Sequence, residues 1–201
     1  MKSFIRLNDF KKSELLEIFR IADSIDQYDG FLKGKTIVMF FPASSIRTRV
    51  SFEKGIYLLA GQSILFDPAT LDKKEDIRDV CGYLQNWADA VIVRYPDINM
   101  IYKMAEAMTI PVINALTDDN HPCEMMSDLY ALSKIRADYL NDKYLFVGAD
   151  GNGAVLNPCP PFYRGEEVTD DVIDSDYFVG YEFKSNLLKV QQAILIYCLS
   201  S

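Results

Sequence analysis

Four short apolar runs, each followed by a helix-length segment, constrain this chain more than any other feature. Thr36-Ile37-Val38-Met39-Phe40-Phe41 carries no charge and stops at Pro42; Ser63-Ile64-Leu65-Phe66, Ala90-Val91-Ile92-Val93-Arg94 and Pro111-Val112-Ile113-Asn114 follow it. Strands covered on both faces need such unbroken runs rather than a polar alternation. Between them the spacing turns helical. Leu15, Leu16, Ile18, Phe19, Ala22 and Ile25 mark a helix that runs out near Gly30; Ser51 to Leu59 marks another, ending at Gly61. Further helices are expected from the loop Asp67 to Lys74 through Trp87, over Asp97 to Met108 and over Pro122 to Arg136, with a fifth strand opening at Tyr144 to Gly148. Strands and helices alternating through short connections predict βαβ crossovers: an α/β fold with a parallel sheet and helices on both faces.

The pattern then breaks. From Ala149 to Gly165, Gly and Pro dominate and no helical period survives, so this stretch is a linker, a functional loop or a scar. An acidic run, Glu166 to Asp176, precedes a short expected strand at Tyr177 to Tyr181 and a final helix over Ser185 to Leu199.

Composition narrows the function classes. Of 201 residues 49% are hydrophobic and 25% charged, which excludes collagenous, disordered and disulfide-stapled chains. With 21 Lys and Arg against 29 Asp and Glu, the formal charge is −8. That balance argues against a nucleic-acid coat, which needs a surplus of cations, whereas a small anion needs only one or two well-placed Arg side chains. Cys81, Cys123, Cys159 and Cys198 form no C-x-x-C pair, so neither a zinc site nor a redox motif is expected. They read as reduced thiols. No apolar leader opens the chain and no stretch reaches the ~20 apolar residues of a membrane span. The expectation is a cytoplasmic protein with no membrane or nucleic-acid partner. No G-x-G-x-x-G or P-loop pattern follows a strand, which argues against a nucleotide-binding domain.

Open parallel sheets bind ligands at the carboxyl ends of their strands, so the residues after each run are the candidates. Ser44-Ser45-Ile46-Arg47-Thr48-Arg49 leads from the first strand into a helix. There free N–H groups and the helix dipole favour an anion, and Ser45, Arg47 and Thr48 can wrap a phosphate. The same residues would serve a plain N-cap with solvated arginines. Arg94 ends the third strand, where it either reaches solvent or faces a ligand. His121, the sole histidine, opens the helix after the fourth strand. A lone histidine is more often structural, but at a helix start a neutral imidazole suits polarising a carbonyl. Three strand ends with such groups outweigh the separate structural readings.

These residues also carry a resemblance. Phe41 to Glu53 resembles the S-T-R-T-R loop of the aspartate/ornithine carbamoyltransferases. Asp89 to Arg94 is similar to their third-strand motif, and His121-Pro122-Cys123-Glu124 to their H-P-C-Q helix start. Cys123 and Val50-Ser51-Phe52-Glu53 point to the ornithine branch. The resemblance covers Leu7 to about Gly153. It implies transfer of a carbamoyl group from carbamoyl phosphate to the amine of ornithine or a related amino acid, giving citrulline and phosphate, with no metal and no cofactor. It further implies that Ser45, Ile46 through its backbone, Arg47 and Thr48 hold the phosphate, and that Arg94 and His121, with Thr48, hold the carbamoyl oxygen. Glu124 stands where the family has a Gln on the carbamoyl amide. A homotrimer is implied too, with the Asp67 to Asp79 loop reaching a neighbouring site; Lys73 on that loop either serves the site or is a solvated loop lysine.

The resemblance also exposes a gap. Tyr144 to Asn152 is similar to the opening strand of the family's amine-binding domain, with Asn152 a substrate-binding position. A few residues later, Asn157 to Val168 already resembles a late family motif, with Cys159 retained as a catalytic position and Pro158 in place of a His. Leu187 occupies the place of a family Arg. Roughly 100 residues, a small domain's worth, are missing between. The implied organisation is a carbamoyl-phosphate-binding domain over 1–148, a remnant of the amine-binding domain over 149–182, and a C-terminal helix over 183–201 returning to the first domain. Two functions are compatible with it: a carbamoyltransferase, or a non-catalytic donor-domain module that assembles with or regulates a complete family member.

Overall fold

The computed structural model describes residues 1–141, 155–158 and 160–200. It comprises two compact units, one formed by Met1–Met126 with Leu187–Ser201 and the other by Ser127–Asn186. In the first, the four apolar runs are strands β1 (Thr36–Phe40), β2 (Gln62–Phe66), β3 (Ala90–Arg94) and β4 (Val112–Leu116). All pair parallel, in the order β2-β1-β3-β4. The expected parallel α/β sheet is the observed one, though the fifth strand expected at 144–148 falls outside the described residues.

Period-2 alternation divides the core. Val38, Phe40, Val91, Val93 and Val112 share a buried cluster with Cys81, Ile98, Ile101 and Met104 from α3 (Ile77–Leu84) and α4 (Ile98–Ala107). The alternate residues Ile37, Met39, Ile92 and Ile113 are fully buried and point to the opposite face. That side carries α1 (Lys12–Asp23), α2 (Ile46–Leu58) and α8 (Leu187–Ser200), with α8 packed on both α1 and α2. Helix α8 is buried nearly all round from Val190 to Cys198, where the apolar run Ala193 to Cys198 follows the buried Gln191 and Gln192. Strand β2 lies at the edge, and its residues alternate between exposed and half-buried.

Helix α2 begins five residues before the apolar spacing suggests. Its first turn presents Ile46 and Val50 to solvent, 68% and 57% exposed, so no apolar stripe marks it. It ends in a Schellman motif: the Ala60 N–H donates to the Tyr57 carbonyl and the Gly61 N–H to that of Ile56, both at 2.9 Å. The residue in the left-handed region is Ala60, at φ 63°, not the glycine. Gly61 is needed for another reason, since a Cβ there would lie 2.7 Å from Leu32 Cβ and 3.0 Å from Ile56 Cγ2.

In the second unit, helix α5 (Pro122–Ile135), which starts in the first unit, is followed by the short helices α6 (Asp170–Ile173) and α7 (Gly180–Ser185). The strand expected at Tyr177 to Tyr181 is absent. Among the described residues a single bridge joins Phe178 to Leu156, and Phe178 packs edge-on against Phe162 and Tyr181. The segment then leads into α7. Lys184 on α7 pairs with Asp128 on α5 at 2.9 Å. No helix among the described residues is long and apolar enough to cross a membrane.

Two outcomes follow at adjacent positions. Gly61→Ala should lower unfolding free energy by about 1–3 kcal/mol through overpacking. Ala60→Gly should raise it by up to about 1 kcal/mol by relieving the left-handed conformation. Urea unfolding measures both. The cysteines give a third outcome. Burial pushes the Cys81 thiol up to about 11 and Cys198 up to about 12, and raises Cys123 through burial first and neighbouring Cys198 and Glu124 next. In a Cys159→Ser background, none should react with a thiol reagent at about pH 8 in the folded chain, and Cys81, Cys123 and Cys198 should all react once unfolded.

Candidate functional site

The loop after β1 is drawn tight before α2 begins. Ser45 N–H donates to the Pro42 carbonyl at 2.9 Å and Ile46 N–H to that of Ser44 at 3.0 Å. Ser45 is buried and sits at the N-cap, but its hydroxyl does not cap the helix. It accepts instead from Arg94 Nη1 at 2.8 Å. The strand geometry explains how Arg94 reaches it: the β3/β4 register shifts between Val93 and Arg94, and such bulges re-aim a side chain at a strand end. Thr48 is buried within the first turn of α2, while Arg47 is exposed. Arg49 is held along the helix by Glu53 at 3.1 Å. Of the first-turn N–H groups of α2, that of Ile46, expected to meet the phosphate, is taken by the Ser44 carbonyl, and those after it have no carbonyl one turn earlier to bond. Two arginines, two hydroxyls and a helix start therefore converge on one end of the sheet.

The next strand end adds a second group. After β4, Thr117 N–H bonds the Asn120 carbonyl at 2.8 Å, the Thr117 hydroxyl bonds Asp119 at 2.8 Å, and Asp118 N–H bonds the Pro96 carbonyl of the loop after β3 at 3.0 Å. His121 then precedes Pro122, which opens α5 with the residue that suits a first helical position. His121 Nε2 lies 2.8 Å from Glu124 Oε2, and the two side chains are only 18% and 11% exposed. Cys123, fully buried, donates its thiol to the Asn114 carbonyl at 3.3 Å and ties the helix start back to β4.

Of the residues anticipated from sequence, Ser45 and Arg94 are in direct contact, with Ile46, Arg47 and Thr48 on the same helix turn, while His121 and Glu124 form a pair on the adjoining strand end. Lys73 is exposed on the loop between β2 and α3, and no hydrogen bond or ion pair joins it to these groups among the described residues. Asn152 and Cys159 lie outside the described residues. Sequence reading overlooked the His121–Glu124 contact, which their i, i+3 spacing could have shown. It also overlooked Arg6, which pairs with Asp119 at 2.8 Å and brackets the loop before His121; no local pattern signals a partner 113 residues away. Among the described residues no group of acidic, His or Cys side chains could hold a metal ion.

Comparison with known proteins agrees with this geometry. Residues 2–134 match the family model described as aspartate/ornithine carbamoyltransferase, carbamoyl-P binding domain. The chain is 36% identical over 160 residues to an ornithine carbamoyltransferase of Campylobacter hominis, covering 76% of this chain and 51% of that one. It is 38% identical over 158 residues to that of Aquifex aeolicus, covering 75% and 51%. It thus spans about half the length of the curated relatives it matches. In structure it is similar to ornithine carbamoyltransferase from Burkholderia thailandensis, with a TM-score of 0.87, 22% identity and 99% of each chain covered. A variant of N-acetyl-L-ornithine transcarbamylase, solved with carbamyl phosphate and N-succinyl-L-norvaline, gives 0.85 at 19% identity, covering 98% of this chain and 100% of that one. The parallel sheet, the arginine and hydroxyl cluster at its strand ends and the match over residues 2–134 place this chain in the aspartate/ornithine carbamoyltransferase family.

Proposed function

We propose that the strand ends of the first unit bind carbamoyl phosphate and that, where an amine acceptor is held alongside, the chain transfers the carbamoyl group to it. The carrying observation is the 2.8 Å hydrogen bond between Arg94 and Ser45. It joins the loop suited to a phosphate to the arginine suited to an acyl oxygen, so one ligand bearing both groups fits across them. Ser45, Arg47, Thr48 and the first-turn N–H groups of α2 after Ile46 hold the phosphate, with Arg47 offering parallel hydrogen bonds. Arg94 and Thr48, with His121, face the carbamoyl oxygen and stabilise the negative charge that develops there. The amine nitrogen attacks the carbamoyl carbon and the bond to the phosphate oxygen breaks. Phosphate leaves with the electron pair, and the nitrogen loses a proton.

Ornithine is the acceptor we favour, because the relatives at 34–38% identity are ornithine carbamoyltransferases. A homotrimer in which the loop carrying Lys73 serves a neighbouring site belongs to the same reading. One fact favours a second one: the chain spans only half of those relatives, and the half left unmatched would have to supply the amine site. A donor-binding module assembling with a complete family member would bind carbamoyl phosphate and form no citrulline.

A thermal-shift titration tests the donor site directly, since ligand at about 100 times Kd adds about 2.7 kcal/mol of stability. Arg47→Ala should weaken carbamoyl phosphate by about 1.5–3 kcal/mol, roughly ten- to a hundredfold, without shifting the ligand-free melting temperature. No shift for the unaltered chain at any concentration would defeat the assignment. Citrulline formed from ornithine and carbamoyl phosphate, and lost in Arg47→Ala, would defeat the module reading.

A further inference from the structure

Three consecutive residues at the end of β3 tie together the connections that follow the other three strands. Arg94 donates to Ser45 in the loop after β1. The Tyr95 hydroxyl donates to Asp72 Oδ1 in the loop after β2, and the Pro96 carbonyl accepts from the Asp118 N–H in the loop after β4 at 3.0 Å. The Tyr95 N–H also meets the Leu116 carbonyl at 3.1 Å, and its half-buried ring packs on the apolar cluster that α3 and α4 form with the sheet. Backbone and ring are thus both held, and together they set where the hydroxyl points. Asp72, its acceptor, lies where the loop after β2 changes character. Before it, Asp67 accepts from the Ala69 N–H at 2.9 Å and caps the turn Pro68–Leu71, and Leu71 is buried in the same cluster as the Tyr95 ring. After it, Lys73, Lys74 and Glu75 are exposed, until Asp76 caps α3 by accepting from the Arg78 N–H at 2.9 Å. The Tyr95–Asp72 bond, strengthened by the charge of its acceptor, therefore fixes the residue next to Lys73.

We propose that Tyr95 is a positioning residue for the donor site: by holding Asp72, it fixes the point from which Lys73 reaches the phosphate in a neighbouring copy. The proposal rests on the readings that the strand ends bind carbamoyl phosphate and that the Lys73 loop serves a neighbouring site, and it names what holds that loop in place. A lysine carries its charge on a flexible stem, so an ammonium on an untethered loop is spread over many positions. Ordering it only when the anion binds costs affinity, and holding its backbone beforehand lowers that cost. Because Tyr95 directly follows Arg94, the strand end that places a guanidinium in one site also places the Lys73 backbone for the next. Tyr95 and Asp72 act through Lys73 and take no part in the chemistry.

Calorimetry with carbamoyl phosphate on the full chain reads the effect, and sedimentation velocity gives the assembly state at the same concentration. Lys73→Ala should weaken binding at least about tenfold, and Tyr95→Phe, which keeps the ring and loses the hydroxyl, at least about threefold. In the double variant the loss should be no greater than in Lys73→Ala alone, because Tyr95 then has nothing left to position. A bond that merely stabilised the fold would act independently of Lys73, and the two factors would multiply. Asp72 supplies a second comparison at constant charge. Asp72→Asn and Asp72→Ala lose the same carboxylate, but only Asn keeps an acceptor for the phenol, so Asp72→Asn should bind at least about threefold more tightly. Unweakened binding in Tyr95→Phe, factors that multiply, equal binding by the two Asp72 variants, or a monomer at the concentration where the site fills would each overturn the positioning proposal and leave the donor site standing. Absence of binding by the unaltered chain would overturn both.

Discussion

Burial of β1 and β3 on both faces is the constraint from which the rest of the first unit follows. Every residue from Ile37 to Phe40 and from Ala90 to Val93 is buried, so neither strand can turn a polar side chain into the layers above or below. Polar chemistry is thereby expelled to the strand ends. Because all four strands run parallel, their carboxyl ends lie along one rim of the sheet, and the connection after each strand starts there. Arg94 shows the boundary at single-residue resolution. Val93 is fully buried, and one residue later the register shifts and the side chain turns to Ser45.

The chain's extremities finish what the sheet begins. Phe4 bridges Ile113 at the outer edge of β4, and Asn114 donates its side-chain amide to the Ile5 carbonyl, covering an edge that would otherwise present unpaired groups. The same segment contributes Lys2, whose ammonium meets Glu14 on α1 at 2.8 Å, while Tyr197 on α8 donates to the same carboxylate oxygen. Held by the Lys2 ammonium first, then by the Lys11 N–H and the Tyr197 hydroxyl, Glu14 is drawn down to about 2. One carboxylate thus joins three parts of the chain, and Arg6, four residues past Lys2, extends the junction to the loop before His121.

What could be read from sequence divides along the same line as the physics. Strands are legible because burial on both faces leaves an unbroken apolar signature, and the rim residues Ser45, Arg94 and His121 are legible because they interrupt or follow it. The start of α2 was hidden, since Ile46 and Val50 face solvent and give no stripe. So was the end of the second unit, where Phe178 satisfies an apolar preference by packing on two other rings rather than by pairing into a ladder. Contacts such as Arg6 with Asp119 depend on how the N-terminal segment lies against β4, and that is a tertiary fact. The exchange of Gln for Glu at 124 was visible as a departure. Its meaning was not, because a carboxylate considered against a ligand looks like a repulsive neighbour, whereas the structure sets it against a ring.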